Sequence, residues 1–193
     1  MPATVKVITP ADVELLDLGE LKAHLRVTHS EEDSYITALG GAATAQAERH
    51  LARTILPTRL RLTLDGVPAS GVIELPCPPV RNLVQVRALV NGIWTTSPTA
   101  NYRLDADSVP ARVVPVMNQQ WPDPDAGPGT LQIDYDAGWP SPAEVPSTIK
   151  QAVRLIVGHL YENRESVVTG TIATEMPFSA AVLLDAERVM QFG

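Results

Sequence analysis

Cysteine occurs once in the 193 residues, at Cys77. That excludes an intramolecular disulfide framework and any multi-cysteine zinc or iron–sulfur site. No apolar run approaches the roughly 18–20 residues that span a bilayer, so no membrane partner is expected. Met1–Thr9 carries one lysine and no continuous apolar core, which argues against a secretory signal. Histidine is scarce too: His24, His29, His50 and His159 are all there are. None forms a His-Glu-x-x-His pair, and His24 and His29 straddle a helix end, so no metal or cofactor is expected. The glycine-rich phosphate loops and the Gly-x-Ser-x-Gly nucleophile turn are also missing. Basic residues are outnumbered, 15 against 22 acids for a net charge of −7. An acidic chain lacks the electrostatic footprint of a protein whose main partner is free nucleic acid.

What is present is proline, and it is unevenly spread. Of 17 prolines, 14 lie between Pro57 and Pro146. Proline removes a backbone donor and breaks helix interiors, so that middle stretch cannot be helical, while both flanks can. Leu15–Val27 reads as a short helix with Leu18, Leu21 and Leu25 on one stripe. Ser30-Glu-Glu-Asp33 resembles a capping box opening a second helix to about Arg53, with Ile36, Leu39, Ala43, Ala47 and Leu51 on its apolar face. Gly40-Gly41 within it lowers helix propensity and suits close helix packing.

The middle alternates. Leu60, Leu62 and Leu64 face away from Arg59, Arg61 and Thr63, the period of a half-buried strand. Strands also follow at Val72–Leu75 and Val84–Val90, the latter ending in the hairpin signal Asn91-Gly92. Shorter ones fit Ile93–Thr95, Tyr102–Leu104 and Arg112–Val116. Leu131, Ile133 and Tyr135 alternate with Gln132 and Asp134 before Gly138-Trp139-Pro140 closes a mostly antiparallel sheet. Pro122–Pro128 reads as the most flexible loop. Helix returns after Val145, with Ile149, Val153, Ile156, Val157 and Leu160 on one face. A polar connector spans Val167–Glu175, and Phe178–Met190 suits a last short helix. Short helices are marginal alone. The expected fold class is therefore α+β: a helical bundle from the N- and C-terminal segments, residues 1–56 and 145–193, around an inserted β-domain, residues 57–144.

Chemistry is thin on this frame. His159 and Glu162, at i,i+3, suit a structural pair. Cys77, between prolines, has no helix N-terminus or basic neighbour close in sequence to lower its pKa, which leaves a thiol enzyme weakly supported. Asp105, Asp107, Asp123, Asp125, Asp134 and Asp136 could serve a glycosidase or bind calcium, but they fall on polar strand faces and in a proline loop. Trp94, Trp121 and Trp139, with Tyr102 and Tyr135, could line a sugar platform. A carbohydrate-binding or carbohydrate-acting β-domain is thus the alternative to an interaction protein, whose surfaces are also rich in Trp and Tyr.

Leu21-Lys-Ala-His-Leu-Arg-Val27, followed by Glu31-Glu-Asp-Ser-Tyr-Ile36, resembles the N-terminus of head–tail connector (adaptor) proteins of long-tailed phages and gene transfer agents. Ile73-Glu-Leu-Pro-Cys-Pro-Pro79, Asp134-Tyr-Asp-Ala-Gly-Trp139, Val145-Pro-Ser-Thr-Ile-Lys-Gln-Ala-Val153, Gly158-His-Leu-Tyr-Glu-Asn-Arg-Glu165 and Met176-Pro-Phe178 extend the resemblance, in order, over nearly the whole chain. It implies a non-enzymatic virion structural protein of the neck, made in the host cytoplasm. Identical copies, usually twelve, would form a ring beneath the portal protein and offer a docking surface to the stopper or next neck protein. DNA would pass through the channel without specific binding. The C-terminal segment, from about residue 175 here, would reach the portal, with Met176, Phe178, Val182, Leu184 and Phe192 as its apolar anchors.

Overall fold

The computed structural model describes residues 3–164 and 176–189. Among them are eight strands and four α-helices, an α+β composition with antiparallel strand pairing throughout. The chain divides into two compact units: residues 1–12 with 57–139, and residues 13–56 with 140–193.

The first unit holds two sheets. A five-stranded sheet runs in the order β1-β2-β8-β4-β5, built from β1 (Ala3–Thr9), β2 (Thr58–Leu64), β8 (Leu131–Ala137), β4 (Val80–Val90) and β5 (Ile93–Ser97). A three-stranded sheet runs β3-β7-β6, from β3 (Ile73–Leu75), β7 (Ala111–Pro115) and β6 (Tyr102–Asp105). The sequence suggests one sheet; the structure has two sharing a core. Leu60, Leu62, Leu131, Ile133, Tyr135 and Val86 from the larger sheet are buried together with Ile73, Leu75, Ala111 and Val113 from the smaller. The period of two makes this possible, since every second residue of β2 and β8 points inward.

Strand β1 has no counterpart in the sequence reading, which begins its elements at Leu15. Its alternating Thr4, Val5, Lys6 and Val7 is a strand signal, weakened by brevity, and β1 pairs antiparallel with β2 from Ala3↔Leu64 to Thr9↔Arg59. The first residues thus belong with the sheets rather than with the helices that follow.

Two turns explain local order. Asn91 and Gly92 both have positive φ, 52° and 76°, as a two-residue hairpin with right-handed strand twist requires. The Pro122–Pro128 segment, expected to be the loosest, is pinned. Asp125 accepts hydrogen bonds from the Asn91 and Gly92 amides, both at 2.8 Å, and its own amide donates to Leu89 O. Trp121 just before it stacks on Tyr102 at 4.6 Å and donates to Gly71 O.

The second unit contains α1 (Leu18–Leu25), α2 (Asp33–Leu51), α3 (Ser147–Glu162) and α4 (Phe178–Asp185). Helix α2 packs on α1, α3 and α4, and α3 packs on α1 and α4. The capping box lies one helix earlier than the sequence suggests. Asp17 accepts from the Glu20 amide at 2.7 Å, and Glu20 accepts from the Asp17 amide. At α2 no side chain caps the first turn. The acids around Ser30 are engaged elsewhere: Asp33 pairs with Lys22 at 2.6 Å, and Glu32 is held by Tyr161 and Arg164. Ile36, Ala43, Ala47 and Leu51 of α2 are buried with Ile149, Val153, Ile156 and Val157 of α3, as the i,i+3/i+4 spacing dictates.

Candidate partner-binding surface

Helix α4 has a divided apolar surface. Helix α4 follows Pro177 and packs against α3 and α2. Ala180 and Leu184, one turn apart, are fully buried, whereas Phe178 and Val182, also one turn apart, are 84% and 52% exposed. The i,i+4 repeat therefore splits the helix into an inward stripe and an outward one. Of the five residues the resemblance suggests as anchors, Phe178 and Val182 face solvent, Met176 is half-buried, and Leu184 is committed to the unit's own core. Phe192 lies outside the described residues.

The segment after α4 is strapped to the end of α2. His50 Nε2 lies 2.7 Å from Asp185 Oδ1, Arg53 Nε donates to Glu187 O at 2.7 Å, and the Val189 amide donates to Leu51 O. Thr148 at the start of α3 donates to the Glu187 carboxylate. Burial pulls the Arg53 guanidinium below its ordinary pKa, opposed by Glu187. Sequence reasoning misses this strap because its partners stand more than 130 positions apart for His50 and Arg53.

At the other end of α3, Tyr161 donates to Glu32, Arg164 bonds the same carboxylate at 2.5 Å, and the Arg164 guanidinium sits 4.9 Å from the ring centres of both Tyr35 and Tyr161. The Tyr161 hydrogen bond, then Arg164, holds the Glu32 carboxyl below the usual carboxylate range. A Cβ on Gly158 would stand 3.4 Å from His24 Nε2. Residues of the two motifs Leu21–Ile36 and Gly158–Glu165 thus meet one another across α1, α2 and α3.

Several of the remaining candidates are used structurally. Asp134 and Asp136 form two-bond ion pairs with Arg61 and Arg59 directly opposite on β2. Arg59's hydrogen bonds keep the Asp136 carboxyl low. Asp134 is 7% exposed, so this face is a paired ladder rather than a set of solvated acids. Asp105 accepts from Ser108 and Arg112 within its own hairpin, and the Ser108 hydroxyl chiefly holds its pKa down. Among the described residues no three His, Cys, Asp or Glu side chains are placed to hold a metal ion.

Trp121 and Tyr102 stack on one another, and Tyr135 is buried with its hydroxyl donating to Pro76 O, so these rings form no open sugar platform. Trp94 is 41% exposed under the Arg87 guanidinium. Cys77 sits at a positive φ of 60° in the turn between β3 and β4, partly buried against the sheet core. His159 shares contacts with Asn163, not the i,i+3 pairing with Glu162 expected from spacing. No helix among the described residues is long and apolar enough to cross a membrane.

No family model matches the chain, and neither does any curated protein. Solved structures do. A chain from the virion of a native gene transfer agent (GTA) particle is 25% identical with a TM-score of 0.79, covering 97% of this chain and 96% of that one. A chain from the neck of a native GTA particle, computed with C12 symmetry, is 26% identical with a TM-score of 0.74, covering 98% and 97%. A third, from the neck of an empty GTA particle computed with C6 symmetry, has the same fold at 24% identity and a TM-score of 0.81, covering 98% and 97%.

Proposed function

We propose that this chain is a structural connector in the neck of a gene-transfer-agent or tailed-phage particle, where it joins the portal to the next neck protein and extends the DNA channel. The observation that carries the reading is end-to-end likeness, across both units, to a chain of a native GTA neck computed with C12 symmetry at 26% identity. Partial likeness would speak for a shared domain; coverage of 98% and 97% speaks for a shared protein.

The reading includes a ring of identical copies, twelve by analogy with that symmetry, and no catalysis. It also treats the helices on either side of the sheets as one bundle with the sheet unit inserted, an arrangement supported by the packing of α1 and α2 against α3. A net charge of −7 suits a channel through which DNA slides without sticking. The portal-facing anchors would be Phe178 and Val182, which leave their helix outward, and Met176, which is half-buried. Leu184 is buried instead and holds the same helix to the unit.

Particles assembled without this chain test the reading: electron microscopy should find filled heads without tails. Normal tailed particles would overturn it.

A further inference from the structure

The two sheets of the first unit are unequal, five strands against three. The buried inner residues of the larger sheet come from its three central strands, β2, β8 and β4. Strands β1 and β5 overhang. Along β1 every described residue is exposed except a half-buried Val5, and along β5 every one is exposed except a half-buried Ser97. Val7 of β1 pairs with the inward Leu60, and Ile93 of β5 pairs with Val90, two positions on from the inward Ala88, so both continue the inner apolar row. They stand 59% and 69% exposed.

Both strands also end the sheet, with no further strand beside them among the described residues. Each presents unpaired N–H and C=O groups, the form of surface that recruits another strand. Such edges are commonly blunted by charge or proline, yet β1 contains one charge, Lys6, and β5 none, and neither contains proline.

The direction of the strands selects the occupant. Four successive antiparallel pairings connect β1 to β5, so the two edges run the same way. A rotation can therefore set β1 of one copy beside β5 of the next and repeat without reversing a strand. That is a head-to-tail contact between two different surfaces, which closes into a ring when the rotation closes. A two-fold dimer would instead need one edge to meet itself.

We propose that β1 of one copy lies alongside β5 of its neighbour, Val7 and Ile93 being covered in the contact, and that this pairing joins copies around the ring. The proposal rests on the connector reading for the existence of a ring, not for the choice of edges.

Val7→Glu and Ile93→Glu place a charge on one edge each, at exposed positions that leave the fold intact, which unchanged thermal unfolding would verify. Sedimentation velocity of the full chain at rising concentration should show wild type growing beyond dimers. Each variant alone should lose self-association by about tenfold or more, equivalent to about 1.4 kcal/mol. An equimolar mixture should stop at dimers, because the intact β1 of the Ile93→Glu copy can meet the intact β5 of the Val7→Glu copy only once. Wild type that stays monomeric to its solubility limit overturns the proposal. So do variants that assemble like wild type, or dimers from one variant alone as tight as those of the mixture, which would mark an edge pairing with itself. Tailless particles together with unaffected assembly of both variants would leave the connector reading standing and this contact refuted.

Discussion

Gly40 of α2 lies against Leu21 of α1 so closely that a Cβ on the glycine would stand 2.8 Å from Leu21 Cδ1. Leu21 is 2% exposed, so its side chain would have to shift within the core to make room. Its neighbour Gly41 is exposed, with no heavy atom within 4 Å of the corresponding position. Two adjacent glycines therefore have opposite meanings. Gly40→Ala should lose about 1 kcal/mol net, since overpacking of roughly 1–3 kcal/mol outweighs the helix-propensity gain. Gly41→Ala should gain about 0.5–1 kcal/mol. Urea unfolding of the two variants checks both signs.

Asp125 ties the proline-rich segment to the β4–β5 hairpin through two amides. Asp125→Ala should cost about 1–3 kcal/mol, because hydrogen bonds to a charged acceptor are lost. Hydrogen exchange should speed at Asn91 and Gly92 while the β2–β8 ladder keeps its protection.

Acid should act with two signs. Arg59 holds the Asp136 carboxyl low, so its contribution is complete above the unfolded pKa of about 3.9 and is lost as pH falls through the lower folded value. Burial pushes the Glu48 carboxyl up, against hydrogen bonds from the Ile55 and Leu56 amides. Its ionised form costs stability in the folded state, a cost relieved as pH falls through the raised folded pKa towards about 4.3. Stability should rise slightly on mild acidification and fall below about pH 4. Glu48→Gln should abolish the rise and leave the acid loss in place, read by denaturant midpoints across pH.

The two stripes of α4 should separate folding from docking. Leu184→Ala, at a fully buried site, should cost about 2–5 kcal/mol. Phe178→Ser with Val182→Ser should change stability by no more than about 0.5 kcal/mol per site, yet abolish co-purification with the portal of the same particle. Retained portal binding would reassign the docking surface.

Much of the fold was legible because its signals are local. Proline density divided helix from strand, alternation placed β2 and β8, and Asn91-Gly92 placed the hairpin. The misses follow one pattern. Ser30-Glu-Glu-Asp33 has the pattern of a cap, but Glu32 is held by Tyr161 and Arg164, about 130 positions away, and Asp33 by Lys22 on the preceding helix. The Pro122–Pro128 loop reads as loose because Asp125's partners lie more than 30 positions earlier. The suggested anchors Phe178, Val182 and Leu184 are all apolar, and nothing local to them tells which side of α4 meets the unit's own core.

The sequence alone determined which segments could be helix and which strand, and it excluded disulfide scaffolds and the known nucleotide and metal motifs, because backbone chemistry and residue counts act without reference to distant neighbours. Tertiary structure alone decided that Leu184 is buried while Phe178 is exposed, that Asp134 and Asp136 are paired with arginines, and that β1 and β5 are left uncovered. Those outcomes depend on which surfaces face each other, and a five-stranded sheet overhangs a three-stranded one only after both have formed.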